Sequence, residues 1–128
     1  MKSRIELLSA PGAPEAIGPY SHAAKVGDMI YCSGQIPIDP ETKALVPGGI
    51  EDQTRQVLKN MKAVLDSQGV DFTAIAKTTI FLTDLTDFPI VNGIYSEAFG
   101  DHKPARSTIQ VAGLPMGALV EIECIVAL

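Results

Sequence analysis

The most informative absence in the sequence is that of clustered positive charge. Lysine and arginine together number 10 against 15 aspartates and glutamates, which gives a net charge of −5, and no basic run exceeds two residues. Nucleic-acid binding draws most of its strength from lysine and arginine placed on phosphates. The sequence therefore disfavours a protein that binds DNA or RNA strongly.

Long apolar segments and abundant cysteine are also missing. No apolar run reaches the length that crosses a membrane, and the N-terminal residues lack the apolar segment of a signal peptide. The two cysteines, Cys32 and Cys124, each lie in an apolar, strand-like run. We therefore expect buried free thiols, in preference to a disulfide or a metal pair, in a protein of the reducing cytoplasm.

Motifs for cofactors and for covalent catalysis are absent as well. The sequence has no glycine-rich phosphate loop, no nucleophile elbow and no cluster of metal ligands. His22 and His102 stand far apart, with no ligand spacing around either. We therefore expect no bound metal.

What the sequence does have is a surplus of apolar residues for a chain of this size. Hydrophobic residues make up 46% of its 128 residues. That length suits a single domain, spanning 1–128, with a core of its own. The surplus indicates that some apolar surface is buried against another subunit.

Periodicity and turn residues predict the order strand, hairpin, helix, strand, helix, strand, strand. The predicted segments are a hairpin of 23–26 and 29–34, a helix from 50 or 51 to 68, a strand at 75–85, a helix from the N-cap Asp87 to Gly100, a strand from 105 and a last strand at 119–128. In the second helix the predicted buried residues are Ile90, Val91, Ile94, Tyr95, Ala98 and Phe99. Two helices on one face of a mixed six-stranded sheet make a two-layer α+β sandwich.

Arg106 is the first candidate for chemistry. It follows a polar loop and Pro104, which fixes the direction of the chain, and it stands at the start of a strand. At the edge of a sheet its guanidinium can hold a carboxylate or a phosphate through two parallel hydrogen bonds. The alternative is a solvated or ion-paired arginine of little energetic worth.

The last strand supplies the second candidate. One of its faces is apolar throughout, with Val120, Ile122, Cys124, Val126 and Leu128, whereas Glu121 and Glu123 share the opposite face with Ile125 and Ala127. That second face is either solvated or part of a subunit interface. A carboxylate at the margin of an interface is partly desolvated, which raises its pKa and suits a general base.

Both candidates lie in motifs through which the sequence resembles the YjgF/RidA family over essentially its full length. The motifs that carry the resemblance are Ile17-Gly18-Pro19-Tyr20-Ser21, Ser33-Gly34-Gln35-Ile36-Pro37, 77–85 followed by Asp87-Phe88, Asn92 followed by Tyr95 and Phe99, Pro104-Ala105-Arg106-Ser107 and Val120-Glu121-Ile122-Glu123. The resemblance implies a chorismate-mutase-like fold and a homotrimer with a cleft between each pair of subunits. It also implies hydrolysis of 2-imino acids, which pyridoxal-phosphate-dependent dehydratases release, to 2-keto acids and ammonia, with no cofactor.

The resemblance assigns roles to individual residues. Arg106 binds the substrate carboxylate and Glu121 lies near the attacking water, so these two are the expected catalytic residues. The residues expected to line the cleft and bind substrate are Tyr20, Ser33, Gly34, Asn92 and Thr108.

Two positions depart from the family pattern. Many members have cysteine where this chain has Thr108, which argues against regulation through a thiol there and leaves hydrolysis intact if the backbone contacts the ligand. Many have glutamine where this chain has His22, a change expected at the rim of the cleft.

Two other functions remain open at this point. One is a non-catalytic or chaperone-like module that binds small carboxylates in the same cleft. The other is an RNA-directed role, such as translation inhibition or ribonuclease activity, against which the acidic charge counts.

Overall fold

The computed structural model describes residues 4–128 and contains one mixed sheet with two helices, as predicted. The strands are β1 (Ile5–Leu8), β2 (Ala23–Val26), β3 (Met29–Gln35), β4 (Ile75–Leu82), β5 (Ala105–Gln110) and β6 (Val120–Ala127); the helices are α1 (Ile50–Ser67) and α2 (Phe88–Phe99). The six-stranded α+β arrangement is confirmed.

The strand order places Arg106 where the sequence predicted it. The sheet runs β1-β2-β3-β6-β4-β5, so that β5 is an edge strand. All neighbouring strands are antiparallel except β4 and β5, which are parallel because α2 carries the chain back between them. Arg106 pairs with Thr78 of β4, one position from the start of the edge strand.

The first helix follows its predicted limits closely. It begins after Gly49 with Glu51 and Asp52 in its first turn, where carboxylates favour the positive end of the helix dipole. It ends at Ser67, and Gly69, with φ +70°, turns the chain in the left-handed conformation that glycine accepts most readily.

The entry to α2 differs from the prediction. The strand expected to reach residue 85 ends at Leu82, and a short 3₁₀ turn over Leu85–Asp87 leads into the helix. Asp87 takes the N-cap position but its side chain makes no capping hydrogen bond. Asp84 instead accepts a hydrogen bond of 2.9 Å from the Thr86 N–H. It is the N-cap of the 3₁₀ turn, which precedes α2 and has its own unpaired backbone N–H groups at its start.

The hydrophobic core lies between the sheet and the two helices. Val120, Ile122, Cys124 and Val126 of β6 are buried there as predicted, whereas Leu128 is 51% exposed because the strand ends at Ala127. The buried residues of α2 are Val91, Ile94, Tyr95 and Phe99. The predictions for Ile90 and Ala98 were wrong, since both point to solvent and Phe88 packs against the core in their place.

The two cysteines face each other across neighbouring strands. Cys32 of β3 pairs directly with Cys124 of β6, and both are free thiols. Cys124 is buried as expected, but Cys32 is only partly buried because it stands one residue before the irregularity that ends its pairing. Within residues 4–128, no helix is long and apolar enough to cross a membrane.

The side of the sheet that carries no helix is largely apolar. Leu7, Ala24, Tyr31 and Ile125 form a row across four strands on this open face. Leu7 is 69% exposed and Tyr31 49% exposed. An uncovered apolar row of this kind is typical of a surface that contacts another subunit.

Candidate active site

All the predicted site residues except Thr108 lie at one of two cavities, which share no lining residue. The first, the Glu121 cavity, measures about 460 Å³ and is lined by Tyr20, Ser33, Gly34 and Glu121, together with Ile17, Ile36, Pro115 and Glu123. The second, the Arg106 cavity, measures about 400 Å³ and is lined by Asn92 and Arg106, together with Tyr95, Ser96, Phe99, Gly100, His102, Lys103 and Pro104.

Sheet geometry explains why one chain keeps the two cavities apart. Arg106 pairs with Thr78, which is fully buried beneath α2, whereas Glu121 pairs with Phe81 on the open face. Thr78 and Phe81 are three residues apart along β4, about 10 Å, and β5 and β6 lie on opposite sides of β4, about 9–10 Å from each other. A substrate of a few atoms cannot contact both side chains of the same chain.

Arg106 is held on three sides. Its Nη1 donates a hydrogen bond of 2.8 Å to Asn92 Oδ1. Its guanidinium lies 5.0 Å from the ring centroid of Tyr95 and 5.3 Å from that of Phe88, within the range of cation–π attraction. These contacts orient the side chain and leave its charge uncompensated.

No carboxylate neutralises that arginine. Among residues 4–128 the ion pairs are those of Lys43, Arg55 and Lys62, and none involves Arg106. An oriented but unpaired guanidinium beside a cavity is suited to an anion from outside the chain, above all to a planar carboxylate that can take two of its N–H groups.

Glu121 is the complementary group in the other cavity. Partial burial, reinforced by the negative charge of Glu123, raises the pKa of the Glu121 carboxyl above its ordinary value. In the described part of the chain it has no cationic partner either. A carboxylate with a raised pKa, open to a cavity, is suited to accept a proton and to return it.

Gly34 makes the position of Glu121 possible. A Cβ atom placed on Gly34 would lie 2.5 Å from Glu121 Oε2 and 2.8 Å from its Cδ. The glutamate therefore rests directly on the backbone of β3, at the irregularity between Cys32 and Gln35 where pairing with β6 is interrupted.

The wall of the Glu121 cavity is fixed by the loop that precedes β2. Ser33 Oγ donates a hydrogen bond of 2.6 Å to the Ser21 carbonyl, and the Ile17 N–H donates one of 3.2 Å to the Tyr20 hydroxyl. His22, expected at the rim of the cleft, does not line this cavity. Its Nδ1 accepts a hydrogen bond from the Ala10 N–H at 2.9 Å.

The other ring nitrogen of His22 completes this brace. Because Nδ1 is an acceptor, the proton of the neutral ring is on Nε2, which donates to the Pro14 carbonyl at 2.7 Å. The ring thus ties residues 10–14 to the start of β2, a structural task that the sequence analysis did not foresee.

Thr108 lines neither cavity. It pairs with Ile80 and lies on the helix-covered side of the edge strand, two residues beyond Arg106. Its expected part in substrate binding therefore remains a prediction. Within residues 4–128 no group of three or more histidine, cysteine, aspartate or glutamate side chains could hold a metal ion.

Sequence reasoning missed the aromatic surroundings of Arg106. Tyr95 was expected as a core residue and as part of a motif, and Phe88 only as part of a motif; neither was expected to contact Arg106. The available signal was helical spacing, since Phe88, Asn92 and Tyr95 recur at intervals of four and three residues and share one face of α2.

These features define a class of protein: a two-layer α+β domain that offers an unpaired arginine at one small-molecule cavity and a carboxylate of raised pKa at another. The chain belongs to the YjgF/RidA family, because the family model described as Endoribonuclease L-PSP matches residues 10–128.

Relatives and solved structures cover nearly the whole chain. The 2-iminobutanoate/2-iminopropanoate deaminase of Mus musculus is 48% identical over 120 residues, which are 94% of this chain and 89% of that protein. The crystal structure of a putative endoribonuclease L-PSP from Entamoeba histolytica is 48% identical, with a TM-score of 0.93 over 97% of this chain and 99% of that one. That of E. coli TdcF with bound serine is 40% identical, with a TM-score of 0.90 over 96% and 98%.

Proposed function

We propose that this chain hydrolyses reactive 2-imino acids and their enamine tautomers, such as 2-iminobutanoate and 2-iminopropanoate, to 2-keto acids and ammonia. The observation that carries the proposal is the unpaired Arg106, oriented at a cavity and available to a carboxylate. The deaminase named among the relatives and the serine bound by a structural neighbour, which carries a carboxylate, support the same substrate class.

The proposed chemistry needs only binding, one water and one proton carrier. Arg106 holds the substrate carboxylate through a charge-assisted pair of hydrogen bonds, worth roughly 1.5–3 kcal/mol. Water attacks the electrophilic imine carbon while the Glu121 carboxylate accepts its proton. The protonated carboxyl then returns that proton to the nitrogen, which gives a carbinolamine. Glu121 next accepts the proton of the carbinolamine hydroxyl and passes it to the nitrogen as the carbon–nitrogen bond breaks, so that the keto acid and ammonia leave and Glu121 ends in its starting state.

We further propose that the site is completed between subunits of a homotrimer. Arg106 and Glu121 of one chain lie at separate cavities on opposite sides of the sheet. A complete site therefore needs a neighbouring copy that places its Glu121 cavity against the Arg106 cavity of the first chain. The apolar open face, with Leu7 and Tyr31 largely exposed, supplies surface for that contact.

The first experiment is a coupled assay. A pyridoxal-phosphate-dependent threonine or serine dehydratase generates the imine in place, and its decay is followed with and without this protein. We expect faster decay and an equal yield of ammonia. Decay at the uncatalysed rate, combined with tight binding of a 2-keto acid, would instead favour the non-catalytic binding module.

The second experiment tests the shared site by mixing inactive chains. Arg106→Ala and Glu121→Gln are each expected to be inactive, but trimers assembled from equal amounts of both should regain about one quarter of the wild-type activity, because a quarter of the clefts then combine two intact residues. No recovery in trimers shown by mass to be mixed would contradict the shared site. A stable monomer by light scattering at micromolar concentration would contradict the trimer.

An RNA-directed activity is not favoured, although the family description names an endoribonuclease. The chain carries a net charge of −5, and the Glu121 cavity adds two carboxylates where a phosphate backbone would need cations. A gel-shift titration with single-stranded RNA at low and high salt should show no salt-dependent binding.

A further inference from the structure

The aromatic ring beneath Arg106 is itself fixed from below. Tyr95 is only 6% exposed, and its hydroxyl shares a hydrogen bond of 2.7 Å with the hydroxyl of Thr78, which is fully buried. Thr78 is also the residue that pairs with Arg106 across β4 and β5. A strand residue, a helix residue and the arginine thus form one stack, with Thr78 at its base.

We propose that Tyr95, fixed by Thr78, is a positioning residue for Arg106. It sets the plane of the guanidinium before a carboxylate arrives, so that the N–H groups not used by Asn92 stand ready for the ligand. This inference deepens the proposed deaminase function and rests on it for its effect on turnover. The positioning itself can be measured without any substrate.

The geometry separates two tasks. Asn92 Oδ1 accepts from one terminal nitrogen and so fixes rotation within the guanidinium plane. The face of the Tyr95 ring, 5.0 Å below, fixes the plane itself. Phe88 also contacts the guanidinium, at 5.3 Å, but is less buried and carries no hydroxyl that could fix its ring.

Pre-orientation matters here because Arg106 is exposed. A free arginine side chain samples many rotamers, and a ligand that selects one of them loses affinity for every rotamer it freezes. A ring and an amide that already hold the side chain remove most of that loss. Since Arg106 contacts the carboxylate and not the reacting carbon, the gain is expected in substrate binding, with little change in the rate of the bound complex.

Three variants test the ring and its hydrogen bond separately. Tyr95→Leu removes the ring, whereas Tyr95→Phe and Thr78→Val keep the ring and remove only the hydrogen bond that fixes it. Ile94→Ala is the matched control, because Ile94 is buried on the same helix and lines neither cavity. Each variant is purified as the assembled protein and compared by KM, by kcat and by the calorimetric dissociation constant for 2-oxobutanoate.

For Tyr95→Leu we expect KM and the dissociation constant to rise about tenfold, equivalent to about 1.4 kcal/mol, with kcat close to wild type. Tyr95→Phe and Thr78→Val should give smaller rises of the same kind. The control Ile94→Ala should lower thermal stability and leave KM unchanged. A merely structural role for Tyr95 would instead lower the active fraction, and hence kcat, at constant KM, which would overturn the proposal.

A second readout requires no ligand. The chain has three arginines, Arg4, Arg55 and Arg106, so a side-chain ¹H–¹⁵N spectrum contains few signals, and the Arg106 signal is assigned by its loss in Arg106→Lys. The ring below should shift its Nε–H proton upfield. That shift should vanish in Tyr95→Leu and diminish in Thr78→Val, while the signal of Arg55, which pairs with Glu51 and Glu97, stays in place.

The two readouts also separate the proposals. An unchanged Arg106 signal in Tyr95→Leu, or an unchanged KM where the wild type turns over, would overturn the positioning role. If the wild type neither hydrolyses imine nor binds the keto acid, the proposed function fails, and the arginine signal alone then decides for or against positioning by Tyr95. Should Tyr95→Leu fail to fold, Tyr95→Phe and Thr78→Val provide the same comparison.

Discussion

Adding a single methyl group at Gly34 should disable the proton carrier without disturbing the fold. In Gly34→Ala the new Cβ would lie 2.5 Å from Glu121 Oε2. Ordinary contact begins at 3.4 Å, so the carboxylate has to move by about 0.9 Å. The atoms that move belong to the flexible end of a side chain. We therefore expect a smaller loss of stability than the roughly 1–3 kcal/mol typical of an overfilled core.

The size of the kinetic effect follows from that displacement. A catalytic group misplaced by about 1 Å costs on the order of 100-fold in rate, which corresponds to about 2.7 kcal/mol of activation free energy. We expect this loss in kcat. The KM should change little, because the substrate carboxylate is held by Arg106, which lines the other cavity.

The assay compares four proteins in the dehydratase-coupled reaction: wild type, Gly34→Ala, Glu121→Gln and the combination of the last two changes. Because both changes act on the same proton transfer, the double variant should be no slower than Glu121→Gln alone. Gly93→Ala serves as the glycine control, since a Cβ at Gly93 meets nothing within 4 Å. It should keep full activity and gain about 0.5–1 kcal/mol of stability as a helix substitution.

Two results would refute this reasoning. Wild-type kcat in Gly34→Ala would show that the reaction does not depend on the position of the Glu121 carboxylate. A further 100-fold loss when Gly34→Ala is added to Glu121→Gln would show that the methyl group acts on the substrate or the backbone, and not through the glutamate.

Four further predictions concern Arg106, Glu121 and the two cysteines. Arg106→Ala should abolish both imine hydrolysis and calorimetric 2-keto acid binding, and Arg106→Lys should restore neither fully, because an ammonium cannot form the planar pair of hydrogen bonds; near-native turnover in Arg106→Ala would disprove the anchor. Glu121→Gln should still bind the keto acid while kcat falls by roughly 10²–10⁴. Burial raises the pKa of Glu121, so the acidic limb of the wild-type pH–rate profile should lie above the ordinary glutamate range, with activity lost as the pH falls and the carboxylate is protonated. An acidic limb at the ordinary glutamate pKa would show that protonation of Glu121 does not control the rate. A hydrogen bond with the Cys124 thiol holds the pKa of Cys32 below its ordinary value, while the same bond and burial hold the pKa of Cys124 above its ordinary value. Iodoacetamide should therefore modify Cys32 before Cys124, as followed by mass spectrometry. Equal labelling of the two cysteines would contradict this hydrogen bond between the thiols.

The sequence was a good guide wherever the signal was local. The 3.6-residue repeat of α1, the hairpin around Gly27 and the alternation of β6 each depend on neighbours within one or two turns, and each was recovered almost to its observed limits. Ile90 and Ala98 were misplaced because the buried stripe of a helix depends on where the helix crosses the sheet. The sequence repeat alone does not contain that crossing.

The sequence alone predicted two helices on a six-stranded sheet, with Arg106 and Glu121 in strands near the end of the chain. The surroundings of these two side chains could be learned only from the folded chain. Strand pairing puts Arg106 beside Thr78 on the face of the sheet that carries the helices, and puts Glu121 opposite Phe81 on the other face, so that one chain holds the two side chains at separate cavities. The reason is physical: alternation along a strand is a local property, whereas the face that becomes buried, and the residues that meet on it, depend on contacts between segments far apart in the chain.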